Sequence, residues 1–186
     1  MKKIIIAMAG LATAIGVAWF SVETNQRPRE QQGCVAKDVH EKVYAWIYDD
    51  SSRDEMSGMQ IRIAAVLSQN SFAFGFPYDG EQHAMLSLRT HPRHGKAAML
   101  RIKAGQIVSK TILVRFDDDA PMIFAIVETE SVRTNIVFIK DYPAFAARLK
   151  RAQKVRVEFT VYGEGQQVAE FDIAGFNPDF MALLGF

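Results

Sequence analysis

Lys154–Tyr162 reads KVRVEFTVY. In an extended chain Val155, Val157, Phe159 and Val161 fall on one side and Arg156, Glu158 and Thr160 on the other. That period of two marks a strand with one buried face. GEGQQ, 163–167, supplies glycines for a tight turn, and QVAEFDIAGF, 167–176, is its partner strand. A hairpin of this kind at the end of the chain predicts an antiparallel, mainly β domain.

Working towards the N-terminus, runs of the same length recur: KVYAWIY, IRIAAVLS, SFAFGFPY, AMLSLRT, AAMLRIK, TILVRF, MIFAIVE and NIVFIK. They are rich in Val, Ile, Phe and Tyr and are separated by polar or turn-forming stretches such as DDSSRDEMSG, PYDGE, HPRHGK, KAGQ and DDDAP. Many short strands at this spacing predict an antiparallel β-sandwich or a partly open barrel. One or two short helices are expected, covering an end or edge of the sheets. DYPAFAARLKRAQ offers Asp141 as N-cap beside Pro143, and NPDFMALLGF offers Asn177 before Pro178, with Phe180 and Leu184 on one side.

The first twenty residues differ in kind. Lys2 and Lys3 precede an uncharged run, Ile4–Phe20, IIIAMAGLATAIGVAWF. Charge followed by an apolar stretch is the order of an export signal, and bulky Trp19 and Phe20 where a cleavage site wants small residues point to an uncleaved N-terminal hydrophobic helix. Cleavage near Ser21 or Val22 is the alternative, and it delivers a soluble protein to the same compartment. The chain is therefore divided into a signal anchor or signal peptide (1–21), a polar linker (22–42) containing TNQRPREQQG, and a β-rich periplasmic domain (43–186). Cys34 is the single cysteine, so no internal disulfide can form, and QQGC lacks a lipoprotein cleavage site. Removing Lys2 and Lys3 from the formal net charge of +1 leaves −1, a balance that argues neither for nucleic acid nor for an anionic membrane as a partner, and no nucleic acid is expected.

AWIYDDSSRDEMSG, FAFGFPYDG, LSLRTHPRHGK, VRFDD and LKRAQKVRVEFTVYGEGQQVAEFDIAGF, in that order across Tyr44–Phe176, resemble a group of small, largely uncharacterised exported bacterial β-sandwich proteins. The last segment also resembles the C-terminal end of invasion-associated locus B proteins. What these resemblances imply is compartment and architecture. Neither carries a catalytic residue to transfer, and the paired cysteines frequent in both groups are replaced here, near Ser109 and Thr111.

Candidate chemistry is sparse. No G-x-S-x-G, H-E-x-x-H, Walker loop or dinucleotide fingerprint occurs. His91 and His94 flank Pro92 in a turn, where an i, i+3 pair does not converge on a metal even with His83, Asp79 or Glu81 nearby. No metal or cofactor is expected. The three carboxylates of FDDDAP point in alternate directions and do not match a calcium loop. Phe72, Phe74 and Phe76 lie two apart, as a core face or a stacking platform would require.

Arg89–Arg115 holds seven cations and no acid: Arg89, Arg93, Lys96, Arg101, Lys103, Lys110 and Arg115. Arg101 and Lys103 are expected to project together beside the loop carrying Arg93 and Lys96. Arg89, Arg93, Lys96, Arg101 and Lys103 are accordingly the candidate binding residues for an anionic partner. The expectation is a non-enzymatic periplasmic protein tethered to the inner membrane, binding envelope proteins or an anionic envelope component as an accessory or scaffold subunit. A periplasmic hydrolase using paired carboxylates among Asp49, Asp50, Asp54 and Glu55, or a His–acid pair, is one alternative. An inhibitor or exclusion protein acting through the exposed THPRHG turn is the other.

Overall fold

The computed structural model describes residues 45–78, 80–128 and 134–182. The expected hydrophobic helix, the linker and Leu184 lie outside the described residues. Among the described residues there are eleven strands: β1 (Ile47–Asp49), β2 (Arg62–Leu67), β3 (Phe72–Phe74), β4 (Gly80–Gln82), β5 (Met85–His91), β6 (Gly95–Arg101), β7 (Thr111–Phe116), β8 (Met122–Glu128), β9 (Ile136–Ile139), β10 (Lys154–Val161) and β11 (Gly165–Asp172). One helix, α1 (Tyr142–Leu149), and a 3-10 turn (Asp179–Met181) complete the described elements.

Nine strands form an antiparallel sheet in the order β1-β2-β5-β6-β9-β8-β7-β10-β11, and β3 pairs with β4 separately. The sheet divides at β8. Ile123 and Phe124 pair with Leu113 and Ile112 of β7, whereas Ile126 and Val127 pair with Ile139 and Phe138 of β9. One strand thus serves two halves, a β5 half (β1, β2, β5, β6, β9) and a β10 half (β7, β10, β11). Their inner faces contribute to one core, including Leu86, Leu88 and Leu100 from the first and Val114, Val157 and Phe171 from the second.

The two end strands do not pair, so the sheet is not a closed barrel. Discrete bonds link the chain after β2 to β11: Gln69 N donates to the Glu170 carbonyl at 2.7 Å, and Asn70 Nδ2 to the Val168 carbonyl at 2.8 Å. Aromatic packing closes the other corner. Trp46 donates its indole N–H to the Ile173 carbonyl at 3.1 Å and lies 4.9 Å from the Phe176 ring, while Tyr48 meets Phe180 at 5.0 Å.

α1 forms where expected. Asp141 takes a left-handed conformation (φ 58°) and its carboxylate accepts from Ala144 N at 3.2 Å, which satisfies an otherwise unpaired N–H of the first turn. The helix buries Phe145, Ala146 and Leu149, and the Phe145 ring meets Phe116 and Phe124 edge-on at 5.5 Å each.

Two sequence expectations are corrected. NPDF does not start an α-helix. Asn177 Oδ1 accepts from Asp179 N and Phe180 N, and only a 3-10 turn follows, which seats Met181 in the core. Phe76 does not share a face with Phe72 and Phe74: those two are buried, whereas Phe76 is 90% exposed because the chain turns at Phe76–Pro77 before entering β4, a strand the sequence reading did not distinguish.

Candidate functional site

HPRHG forms the expected turn: β5 ends at His91, β6 begins at Gly95, and these two residues are paired. Arg93, however, is not a free cation. Its Nε lies 2.9 Å from both carboxylate oxygens of Asp54, and its Nη2 also donates to Oδ1. Asp54 is 3% exposed and sits in a loop closed on itself, with Asp54 N donating to the Met59 carbonyl and Gly58 N to the Asp54 carbonyl. Gly58 allows that closure by adopting φ +68°, and Ser57 N donates to Asp54 Oδ2. The Arg93 guanidinium holds the Asp54 carboxyl well below the usual carboxylate range, with the Ser57 bonds acting the same way. RDEMSG and HPRHGK, far apart in sequence, are the two halves of one latch.

His91 completes it. The imidazole is buried, its Nδ1 accepts from Arg93 N at 3.2 Å and His94 N at 3.3 Å, and its Nε2 faces Asp54 Oδ1 at 3.7 Å. Two backbone donors on Nδ1 place the proton of the neutral ring on Nε2, towards the carboxylate. Burial pushes the His91 pKa down, the neighbouring His94 adds to this, and Asp54 opposes it. A general base needs a ring nitrogen that can reach substrate. Nδ1 of His91 is taken by two backbone N–H groups and both oxygens of Asp54 are held by Arg93 and Ser57, while Nε2 stands 3.7 Å from Oδ1, beyond hydrogen-bond length; the pair fastens the loop to the hairpin.

The five candidate cations do not converge on one patch, which corrects the expected neighbourhood. Arg93 and Lys96 lie at the start of β6, whereas Arg101 ends it, about 17 Å away at 3.4 Å per residue, with Lys103 beyond. Lys96, Arg101 and Lys103 are exposed. Arg89 is half-buried on β5, its guanidinium carbon 5.7 Å from the centroid of the Phe138 ring, and its Nε is buried without a hydrogen-bond partner.

Arg89 belongs to a surface that the sequence reading missed. Strand register carries a row of outward residues across the β5 half: Ile47 opposite Ala65, Ala65 opposite Ser87, Ser87 opposite Met99, Met99 opposite Phe138, and Phe138 opposite Val127. On one side runs a second row, Leu67, Met85, Arg101 and Ile136. On the other lie Asp49, Ile63, Arg89 and Ala97. Most of these positions are half-buried by their neighbours in the sheet, and the rim is open, with Ile47 57% and Val127 44% exposed. The outer face is therefore apolar, with one cation at its middle and Asp49 and Arg101 at its margins. The signal was present in IRIAAVL, AMLSL and NIVFI, whose apolar residues run continuously instead of alternating.

The remaining candidates separate. Asp117 accepts from Gln153 N and Lys154 N, Asp118 faces Arg115, and Asp119 faces Arg148, so the three carboxylates serve three partners. Among the described residues no group of three or more His, Cys, Asp or Glu side chains is arranged to hold a metal. A groove of about 540 Å³ beside α1 is lined by Asp117, Asp119, Arg148 and Arg151, among others. No family model, curated protein or solved structure matches the chain.

Proposed function

We propose that the chain is an exported, non-enzymatic binding protein of the bacterial envelope, an accessory or scaffold subunit whose two-sheet β-sandwich docks a partner on the outer face of the β5 half. The observation that carries this reading is the row Ile47, Ala65, Ser87, Met99, Phe138 and Val127, an apolar row interrupted by the buried Ser87, on a domain that has its own core. Apolar surface of this extent with a polar margin has the composition of an interface centre. Arg89 suits such a centre, because its guanidinium stacks on Phe138 and still presents donors. Export and tethering rest on Lys2, Lys3 and Ile4–Phe20.

The binding residues of this reading are Arg89 and Arg101 with the apolar row, while Lys96 and Lys103 lie outside the rows and Arg93 serves the latch. The test is co-purification from envelope extracts. Met99→Lys should lose the partners retained by the native chain, and Thr160→Lys, at an outward position of β10, should keep them. Equal retention by both variants would refute the assignment.

A further inference from the structure

Resting on that reading, we infer that the occupant of the outer face is a second copy of this chain, related by a twofold axis that runs parallel to the strands between β5 and β6. The rows make the face self-complementary about this line. Rotation about it brings together outward residues at equal distances on either side. Ala65 of one copy then meets Phe138 of the other, Ser87 meets Met99, and Ala97 meets Arg89: in each pair a small side chain faces a large one. At the rim, Ile47 meets Val127. A twofold contact of this kind is closed and uses one patch twice. Packing of two twisted sheets at about 30° preserves the central pairs and turns the outer ones slightly.

Size and charge agree. The fourteen positions of the three rows, each occupying about 4.8 Å by about 7 Å, give a flat footprint of roughly 470 Å², which side-chain relief raises towards the ~800 Å² per partner of a stable interface. Arg89 reaches across the axis, over β6, to the Phe138 ring, so the two guanidinia of a pair lie on opposite sides of the axis. Each then approaches the side on which the other copy presents Asp49, an exposed carboxylate in the same row whose Oδ1 is held by Ser51. A polyanion would be opposed by Asp49 and would leave the apolar row unused, whereas a second copy uses both.

The test is the molar mass of the full chain in detergent micelles, by light scattering over a hundredfold range of concentration. The native chain should run at twice the chain mass, and the Ile47→Lys/Val127→Lys double variant at the chain mass with an unchanged circular dichroism spectrum. Arg89→Asp and Asp49→Arg should each weaken association about tenfold, and combining them should restore it. In a Cys34→Ser background, Met99→Cys should join two chains through a short bis-maleimide. A native chain that is monomeric throughout, or a dimer indifferent to all four substitutions, overturns the inference. If the chain is monomeric and Met99→Lys still loses envelope partners, the binding face stands and only its occupant is wrong. If neither mass nor partners respond, both readings fail.

Discussion

The two halves of the sheet enclose the same core and present different exteriors. Outward from the β10 half, Arg156 lies between Arg115 and Glu170 in register and pairs with Glu170 at 3.3 Å, and Glu158 accepts from Gln166. Outward from the β5 half, the corresponding rows are Ala65, Ser87, Met99 and Phe138. One half has a core face and a water face on which charged pairs surround isolated apolar residues, Ile123 (73% exposed) and Val168 (40% exposed). The other is apolar on both sides, as strands are when both faces are covered. The difference teaches that alternation locates the core, whereas the absence of alternation locates a second surface to be buried.

Substitutions can break or sharpen this contrast. The core shared by both halves sets the upper end of the scale: Phe145→Ala should cost about 3–5 kcal/mol, read from chemical denaturation, and should weaken the two exteriors equally. Next comes the latch of the β5 half. Arg93→Met leaves the buried Asp54 carboxylate without its guanidinium, so the melting temperature should fall by several degrees, the more so as unpaired buried charge is costly.

Acid should act on the same half. Asp54 and His91 both titrate lower in the folded chain than in the unfolded one, so the unfolded state takes up more protons. Their contribution is complete above the unfolded values, about 3.9 for aspartate and about 6.5 for histidine, and is lost as pH falls through the folded ones. His91→Asn can keep an acceptor for the Arg93 and His94 N–H groups and removes the titration. The fall in melting temperature between about pH 6.5 and pH 5 should therefore be shallower in that variant than in the native chain. At the lower end, Arg156→Ala on the water face should change stability by no more than about 1 kcal/mol.

Much of the β10 half was legible, because KVRVEFTVYGEGQQVAEFDI alternates cleanly and its glycines mark the turn. The ten expected strand segments each overlap a strand, and Asp141 caps the helix as its position before Pro143 foretold. The site was less so. A run of cations in sequence indicated one basic patch, but a strand carries its two ends far apart, and one of the five, Arg93, is neutralised by Asp54, thirty-nine residues away. Nothing local to HPRHG announces that partner, since the pairing exists only once the Ser52–Ile61 loop has folded beside the hairpin. The apolar outer face was written in the continuous runs of β2, β5 and β9, and needed strand register before its rows could be aligned.

The central claim is that the exterior of the β5 half is a contact surface and that of the β10 half is not. Its most direct test places a photo-crosslinking amino acid at Met99 or at Thr160, one on each exterior, and irradiates living cells. The account predicts covalent adducts from position 99 and none from position 160. No adduct at position 99, or equal yields at both, would contradict it.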